Sequence, residues 1–294
     1  ENTINPLVLL NTAMAQDGIF INVKEGYHCK GPIHLLHIST GTNKALYNPR
    51  NLVVVGEGAK LTLIESCSSV NLSEKIFTNS VTEMVVEKEA VLDNYILQDE
   101  APDARQNNVH QVWVGTAGKF NSVTVTVNGG MVRNDLNIDI SGENSEIHMH
   151  GLFIVKDGHH IDNHTLVEHN VPNCFSNELY KGIIGDGGTG VFNGKIYVHQ
   201  DAQKTNAYQS NKNILMGDKA VINTKPQLEI YADDVKCSHG TSTGMIDEDA
   251  IFYMQTRGLN KDMAQKVLLK AFAGQISDTI MDDAFRKHTE HVIQ

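Results

Sequence analysis

The chain has 294 residues, of which 40% are hydrophobic, and its formal net charge is −11. These values predict a globular protein with enough chain to bury a core, and they exclude a disordered or collagen-like chain. The acidic balance argues against binding to nucleic acid, which needs Lys and Arg to replace condensed counterions. The longest aliphatic runs, residues 7–10 and 52–55, are too short to span a membrane. We therefore expect neither nucleic acid nor a membrane as a partner.

Residues 50–240 are predicted to form strands. Short β-branched runs, such as 53–55 and 123–127, alternate with Gly, Asn, Asp and Ser clusters that favour turns. A weak internal repeat closes on Leu61, Leu92, Phe120 and Ile147, at steps of 31, 28 and 27 residues. Periods of this length are typical of stacked supersecondary units, so a parallel β-helix is favoured, with a sandwich or barrel as the alternative.

The pattern becomes helical after residue 245. Asp247 is a good N-cap for a helix that ends near Arg257, and Gly258 fits a left-handed C-cap. Asn260 caps a second predicted helix, and a third covers residues 282–292. The second helix carries an apolar stripe of Ala264, Val267, Leu268, Ala271, Phe272, Ile276 and Ile280. We predict a β-helix core over 1–245 and a C-terminal helical subdomain over 246–294.

Several histidine and glycine motifs resemble binding sites but favour structural roles. His148 and His150 share one face of a predicted strand, but no carboxylate follows to complete a metal site. A looser histidine cluster over residues 159–169 is predicted to lie in a loop. The glycine-rich segment 185–190 has no following Lys-Ser/Thr, so it predicts a tight turn between strands rather than a phosphate-binding loop.

Cysteines stand at positions 29, 67, 174 and 237, too far apart for a CxxC pair. They indicate reduced thiols in a cytoplasmic protein. Strand alternation places Cys237 and His239 on one face, where a thiolate and an imidazole suit iron or zinc. The pair supplies only two ligands, and a buried Cys beside a hydrogen-bonded His remains the structural alternative.

Several motifs, in order, resemble one family. Residues 233–240 (DDVKCSHG) and 247–253 (DEDAIFY), followed by Arg257-Gly258, are similar to the C-terminal signature of the SufB/SufD family. Upstream segments 162–165, 169–174, 176–182, 191–196 and 203–209 fit the same pattern. SufB-type chains carry a cysteine where this chain has Met254, whereas the Cys-Ser-His-Gly segment of SufD-type chains is intact, so the chain resembles the SufD type.

The resemblance implies a right-handed parallel β-helix with C-terminal helices, acting as a non-enzymatic scaffold of the SUF iron–sulfur cluster assembly system. It implies pairing with a SufB-type paralogue and docking of a SufC-type ABC ATPase, with a homodimer possible for the isolated chain. His239 and Cys237 become candidate iron or cluster ligands at the SufB interface. The candidate docking residues are Ile251, Phe252, Val267, Leu268 and Phe272. Iron or a cluster is expected only transiently in the complex, and no cofactor stably in the isolated chain.

Two other functions remain open at this point. A SufB-type paralogue would hold the nascent cluster itself. A β-helix enzyme acting on a polysaccharide would need carboxylates that converge on one face of the coil. Family members also have an N-terminal helical region, and since this chain begins with Glu1 rather than Met, we expect that region to lie upstream of it.

Overall fold

A computed structural model describes residues 5–39, 45–70 and 75–293, which form 17 strands and four helices. The first strands are β1 (Phe20–Val23), β2 (Ile33–Ser39), β3 (Ala45–Tyr47), β4 (Arg50–Val55), β5 (Lys60–Ser69) and β6 (Ile76–Val86). The central strands are β7 (Val91–Asp99), β8 (Arg105–Val114), β9 (Lys119–Asn128), β10 (Met131–Ile140), β11 (Glu146–Val155) and β12 (His160–His169). The last strands are β13 (Phe175–Gly185), β14 (Thr189–Val198), β15 (Asn206–Met216), β16 (Val221–Ile230) and β17 (Lys236–Met245). The helices are α1 (Pro6–Met14), α2 (Glu248–Thr256), α3 (Lys261–Ser277) and α4 (Asp283–Val292).

From β4 onward, consecutive strands alternate between two parallel sheets. Sheet I has the order β1-β4-β6-β8-β10-β12-β14-β16, with β3 also paired to β6, and sheet II has the order β17-β15-β13-β11-β9-β7-β5-β2. From β4 onward each strand pairs with the strand two positions later, so the backbone winds into a coil of about 7 turns. This parallel β-helix with C-terminal helices confirms the predicted fold class, and the sandwich or barrel alternative is wrong.

The internal repeat corresponds to one column of stacked residues in sheet II. Leu61 pairs in register with Leu92, Leu92 with Phe120, and Phe120 with Ile147. All four side chains are 2% exposed or less and belong to the apolar core inside the coil. The steps of 31, 28 and 27 residues are therefore the lengths of three successive turns.

One corner of the coil has the same backbone conformation on successive turns. Gly58, Glu89 and Ala117 follow a sheet I strand with φ of 64°, 56° and 54°, in the left-handed region. The Gly58 N–H donates to the carbonyl of Lys88 (2.9 Å) and the Glu89 N–H to that of Thr116 (2.8 Å), each on the next turn. The same conformation recurs at Asn144, Asn173 and Lys204. The hydrogen-bond ladder between turns thus continues around the corner, which keeps the turns in register.

The C-terminal helices begin where their caps predict. The side chains of Asp247, Asn260 and Asp282 accept hydrogen bonds from the first free N–H groups of α2, α3 and α4. Gly258 adopts a φ of 94° after α2, as a left-handed cap requires. Within the described ranges, no helix is long and apolar enough to cross a membrane.

Helices α3 and α4 pack sideways on the outer face of sheet II. Their apolar residues join a second core that contains Ile64, Tyr95, Leu97, Val123, Val125, Val127, Leu152, Ile183, Ala273, Ile276, Ile280 and Phe285. The predicted stripe is wrong in part, because Val267 is 42% exposed and Ala271 is exposed. Ile276 and Ile280 of the stripe are buried as predicted, and Leu269 and Ala273 pack against sheet II beside them.

Polar contacts fix the position of these helices. Lys181 of β13 is only 1% exposed, and its Nζ donates to the carbonyl oxygen of Phe272 (2.9 Å) and lies 4.1 Å from the centre of the Phe272 ring. The Met281 N–H donates to Tyr95 Oη (3.1 Å), and the Tyr95 and Phe285 rings stack with their centres 6.2 Å apart. The helices therefore dock at one defined place on the coil.

We expect Ile276→Ala to lower the free energy of unfolding by about 2–5 kcal/mol, because it opens a cavity between α3 and sheet II at a side chain that is 0% exposed. Val267→Ala, on the exposed face of the same helix, is the matched control and should change it by less than about 0.5 kcal/mol. Urea unfolding followed by circular dichroism measures both. Equal losses in the two variants would contradict the observed packing of α3.

Candidate functional site

The coil is open where the chain completes its last turn. Strands β16 and β17 stand at the ends of their sheets in the described structure, and the residues of β17 from Ser238 to Met245 are exposed. We call this end of the coil, formed by β16 and β17, the open end. The buried residues Ala207 and Gln209 of β15 lie in register with Cys237 and His239. The side chains of Cys237 and His239 therefore face the interior of the coil at its open end.

The two side chains have different surroundings. Cys237 is half-buried and packs against a small apolar cluster that includes Ile196, Val198 and Ala207. Burial raises the pKa of the Cys237 thiol, while a hydrogen bond from the Ala207 backbone opposes that shift, so the thiol is protonated at neutral pH. His239 is exposed. The interior face thus offers an accessible imidazole next to a thiol that an incoming metal would have to deprotonate.

Two polar residues lie behind His239 on the preceding turns. Glu178, Gln209 and His239 are successive register partners on β13, β15 and β17. Glu178 accepts hydrogen bonds from Gln209 Nε2 (2.8 Å) and Thr165 Oγ1 (2.6 Å). The buried Gln209 Oε1 has no hydrogen-bond partner in the described structure. The sequence analysis did not predict this column. The signal that could have found it is the alternation along β13 and β15, which points every second side chain into the coil.

Burial raises the pKa of the Glu178 carboxyl to about 7, against the opposing hydrogen bonds of Thr165 and Gln209. The carboxyl sits one turn deeper than Gln209 and two turns from the open end. The interior near His239 therefore changes charge close to neutral pH.

The other histidine motifs form structural contacts. The His148 and His150 rings stack with centres 6.4 Å apart on the outer face of β11, and His148 Nε2 lies 2.9 Å from Glu146 Oε1. Burial lowers the pKa of His150 to about 4, so its ring is neutral. The predicted loop over residues 159–169 is wrong, because the turn ends at Gly158 with a φ of 71° and strand β12 follows.

Within the described ranges, no three His, Cys, Asp or Glu side chains already converge as a metal site. Cys237 and His239 remain a pair, as the sequence predicts, and a metal ion bound there would take its other ligands from elsewhere. Two carboxylates on the outer face of sheet I, Asp135 and Asp162, are both ion-paired with Arg133 (2.8 Å each). They do not form the unpaired acid pair that a polysaccharide hydrolase needs.

The candidate docking residues divide into two groups. Ile251 is only 1% exposed, and Phe272 is half-buried with the Lys181 ammonium over its ring. The docking set stays a prediction, with these two as its more buried members. Leu268 is half-buried, whereas Phe252 and Val267 are 68% and 42% exposed.

We expect the stability of the protein to fall as the pH rises from about 4.5 to about 7, through the raised pKa of Glu178. Over this range the folded protein holds a proton that the unfolded chain has lost, so the loss is roughly 3 kcal/mol and complete above pH 7. Glu178→Gln removes this contribution. Urea unfolding at several pH values measures the difference between parent and variant, and parallel pH profiles would contradict the assignment.

Comparisons with known proteins agree with these features. The family model described as SUF system FeS cluster assembly, SufBD core domain, matches residues 37–272. The chain is 35% identical over 95% of its length to the iron–sulfur cluster assembly protein SufD of Escherichia coli, and 32% identical over 92% to a SufBD family protein of Synechocystis. It is 29% identical over 97% to the chloroplastic protein ABCI7 of Arabidopsis thaliana. It spans 66%, 62% and 62% of the lengths of these relatives. The resemblance found in the motifs is confirmed: the chain belongs to the SufBD family of the SUF iron–sulfur cluster assembly system.

Proposed function

We propose that this chain is a non-enzymatic scaffold subunit that pairs with a SufB-type paralogue through its open end and docks a SufC-type ABC ATPase through its C-terminal helices. In the assembled complex it helps to acquire iron and to build the cluster. In this proposal, iron and the nascent cluster are cargo that the subunits hold transiently between them.

The observation that carries the proposal is the exposed last turn. β16 and β17 each have one strand neighbour in the described structure, which leaves backbone donors and acceptors available to another chain. The Thr224 and Thr241 hydroxyls, 3.3 Å apart, join the two strands across the interior. A partner coil that pairs with these edges would bury the interior face that carries Cys237 and His239. A second copy of this chain could use the same edges when the SufB-type partner is absent.

The chemistry of the open end fits a shared ligand set. The imidazole of His239 is accessible and suits iron, and Cys237 adds a thiol two residues away on the same face. Two ligands do not complete a tetrahedral site, so the remaining ligands would come from the partner. Sharing the ligands between two chains also accounts for the absence of a cysteine at position 254, where this chain has Met254, because the chain would not hold the cluster alone.

The exposed part of the helical subdomain supports the docking proposal. Phe252 on α2 and Val267 on α3 are large apolar side chains that the fold itself leaves in solvent. Helices α2 and α3 contact each other, while α3 is fixed to sheet II through Phe272 and Lys181. A partner bound to α2 and α3 would therefore be coupled mechanically to the coil.

We expect His239→Ala to leave the fold and the assembly with both partners intact while lowering the iron and sulfide content of the purified complex roughly tenfold or more, because a ligand at the interface is lost. His288→Ala, an exposed histidine on α4, is the control. Iron and sulfide analysis of the co-expressed complex measures the effect. A normal cluster content with His239→Ala would rule out the role given to this imidazole.

We expect Phe252→Asp and Val267→Asp each to weaken ATPase binding by about 2 kcal/mol, or roughly 30-fold in Kd, because each places a charge in the apolar contact. Met281→Asp, at a side chain that is 77% exposed near α4, should bind normally. Calorimetric titration of the ATPase into each folded variant provides the measurement. Equal affinity for all three variants would exclude this face as the docking site.

A further inference from the structure

A polar cavity lies near the first turns of the coil, at the opposite end of the strand order from β17. It has a volume of about 510 Å³, and its lining includes His37 of β2, Glu65 and Cys67 of β5, Glu100 after β7, and His110 of β8. We call it the first-turn cavity. None of these five residues belongs to the open end.

Glu65 and His110 face each other across the interior of the coil. Glu65 lies on sheet II and His110 on sheet I, and they are only 5% and 8% exposed. Glu65 Oε1 and His110 Nε2 are 3.5 Å apart, beyond the usual 2.7–3.2 Å of a hydrogen bond. Each of these two buried atoms has no hydrogen-bond partner in the described structure. Since buried polar atoms are rarely left unpaired, the arrangement points to a missing ligand between them.

The charge of the cavity favours a cation. Glu65 is a carboxyl group that is only 5% exposed on the wall of the cavity. Glu100 adds a second buried carboxyl group, which contacts the hydroxyls of Ser39 and Ser69. No Lys or Arg lines the cavity among the described residues.

The donor atoms suit a divalent transition metal. His37 and Cys67 are register partners on β2 and β5, and Cys67 lies two residues from Glu65 on the same inward face. Cys67, Glu65 and Glu100 line the same cavity. Carboxylate, imidazole and thiol are the ligands of zinc and ferrous iron, and a bound metal would displace the thiol proton.

The distance between the two unpaired atoms also fits two ligands of one metal ion. Metal–ligand bonds of about 2.0–2.2 Å in a tetrahedral site put two ligand atoms about 3.3–3.6 Å apart, which includes the 3.5 Å between Glu65 Oε1 and His110 Nε2. Across the described ranges no third His, Cys, Asp or Glu already converges with them. The volume of the cavity leaves room for His37 or Cys67, both half-buried at its wall, to turn toward the pair.

We propose that the first-turn cavity binds one divalent transition-metal ion between the Glu65 carboxylate and the His110 imidazole, with a third ligand from the His37 and Cys67 pair. This site is separate from the open end and does not depend on a partner chain.

The test is equilibrium dialysis of Zn²⁺ and Co²⁺ against the full chain carrying Cys237→Ala and His239→Ala, which removes the open-end ligands. We expect one metal ion per chain and a metal-dependent rise in Tm. Glu65→Gln and His110→Gln should each weaken binding at least about tenfold and reduce the rise in Tm. The double variant His37→Ala/Cys67→Ala should weaken it to a similar extent.

The matched control uses another Glu–His pair of this chain. Glu146 and His148 lie 2.9 Å apart on the outer surface of β11, so Glu146→Gln and His148→Gln should leave metal binding unchanged. Absence of binding by the parent, or parent affinity in any folded variant of Glu65, His110 or the His37/Cys67 pair, would overturn the proposal. Circular dichroism establishes which variants are folded, and His110→Gln decides the result if Glu65→Gln does not fold.

Discussion

The stacking of one turn of backbone on the next is the constraint on which the rest of this protein depends. Each strand satisfies its hydrogen bonds on neighbouring turns, and the left-handed corner residues, such as Glu89 and Ala117, continue the ladder between strands. The interior is filled by columns such as Leu61, Leu92 and Phe120. Such a structure has no closed end of its own, because every turn needs another turn to pair with. The last turn is therefore both the least satisfied part of the fold and the place where another chain can add to it.

The inside of the coil is not uniformly apolar. Glu178 and Gln209 lie behind His239 near one end, and Glu65 and His110 face each other near the other. Burying such groups costs free energy unless they are paired or bind a ligand. The raised pKa of Glu178 and the unpaired atoms of Gln209, Glu65 and His110 are the signs of that cost. Both polar regions are consistent with a protein family that handles metal clusters, although only the region at the open end lies next to the proposed partner.

The C-terminal helices have one face that packs on the coil and another that is exposed to solvent. One face packs on sheet II through Ile276 and the buried Lys181, which fixes α3 on the side of the coil. The other leaves Phe252 and Val267 in solvent. Because the helices lie along the side of the coil, they leave the open end accessible. In the proposed function, one partner would bind the helices and another the last turn without competing for the same surface.

The amino-acid sequence by itself determined the β-helix, the helix caps and the shared face of Cys237 and His239. These features follow from short-range rules: a repeat of about one turn, capping residues and the alternation of strands. It also predicted the family through motifs that occur in order. The docking set stays a prediction, and only the tertiary structure showed that Ile251 is buried and that Phe272 contacts Lys181. Only the tertiary structure brought Glu65 to His110, because these residues stand 45 positions apart on different sheets and meet across the interior only after the coil has wound.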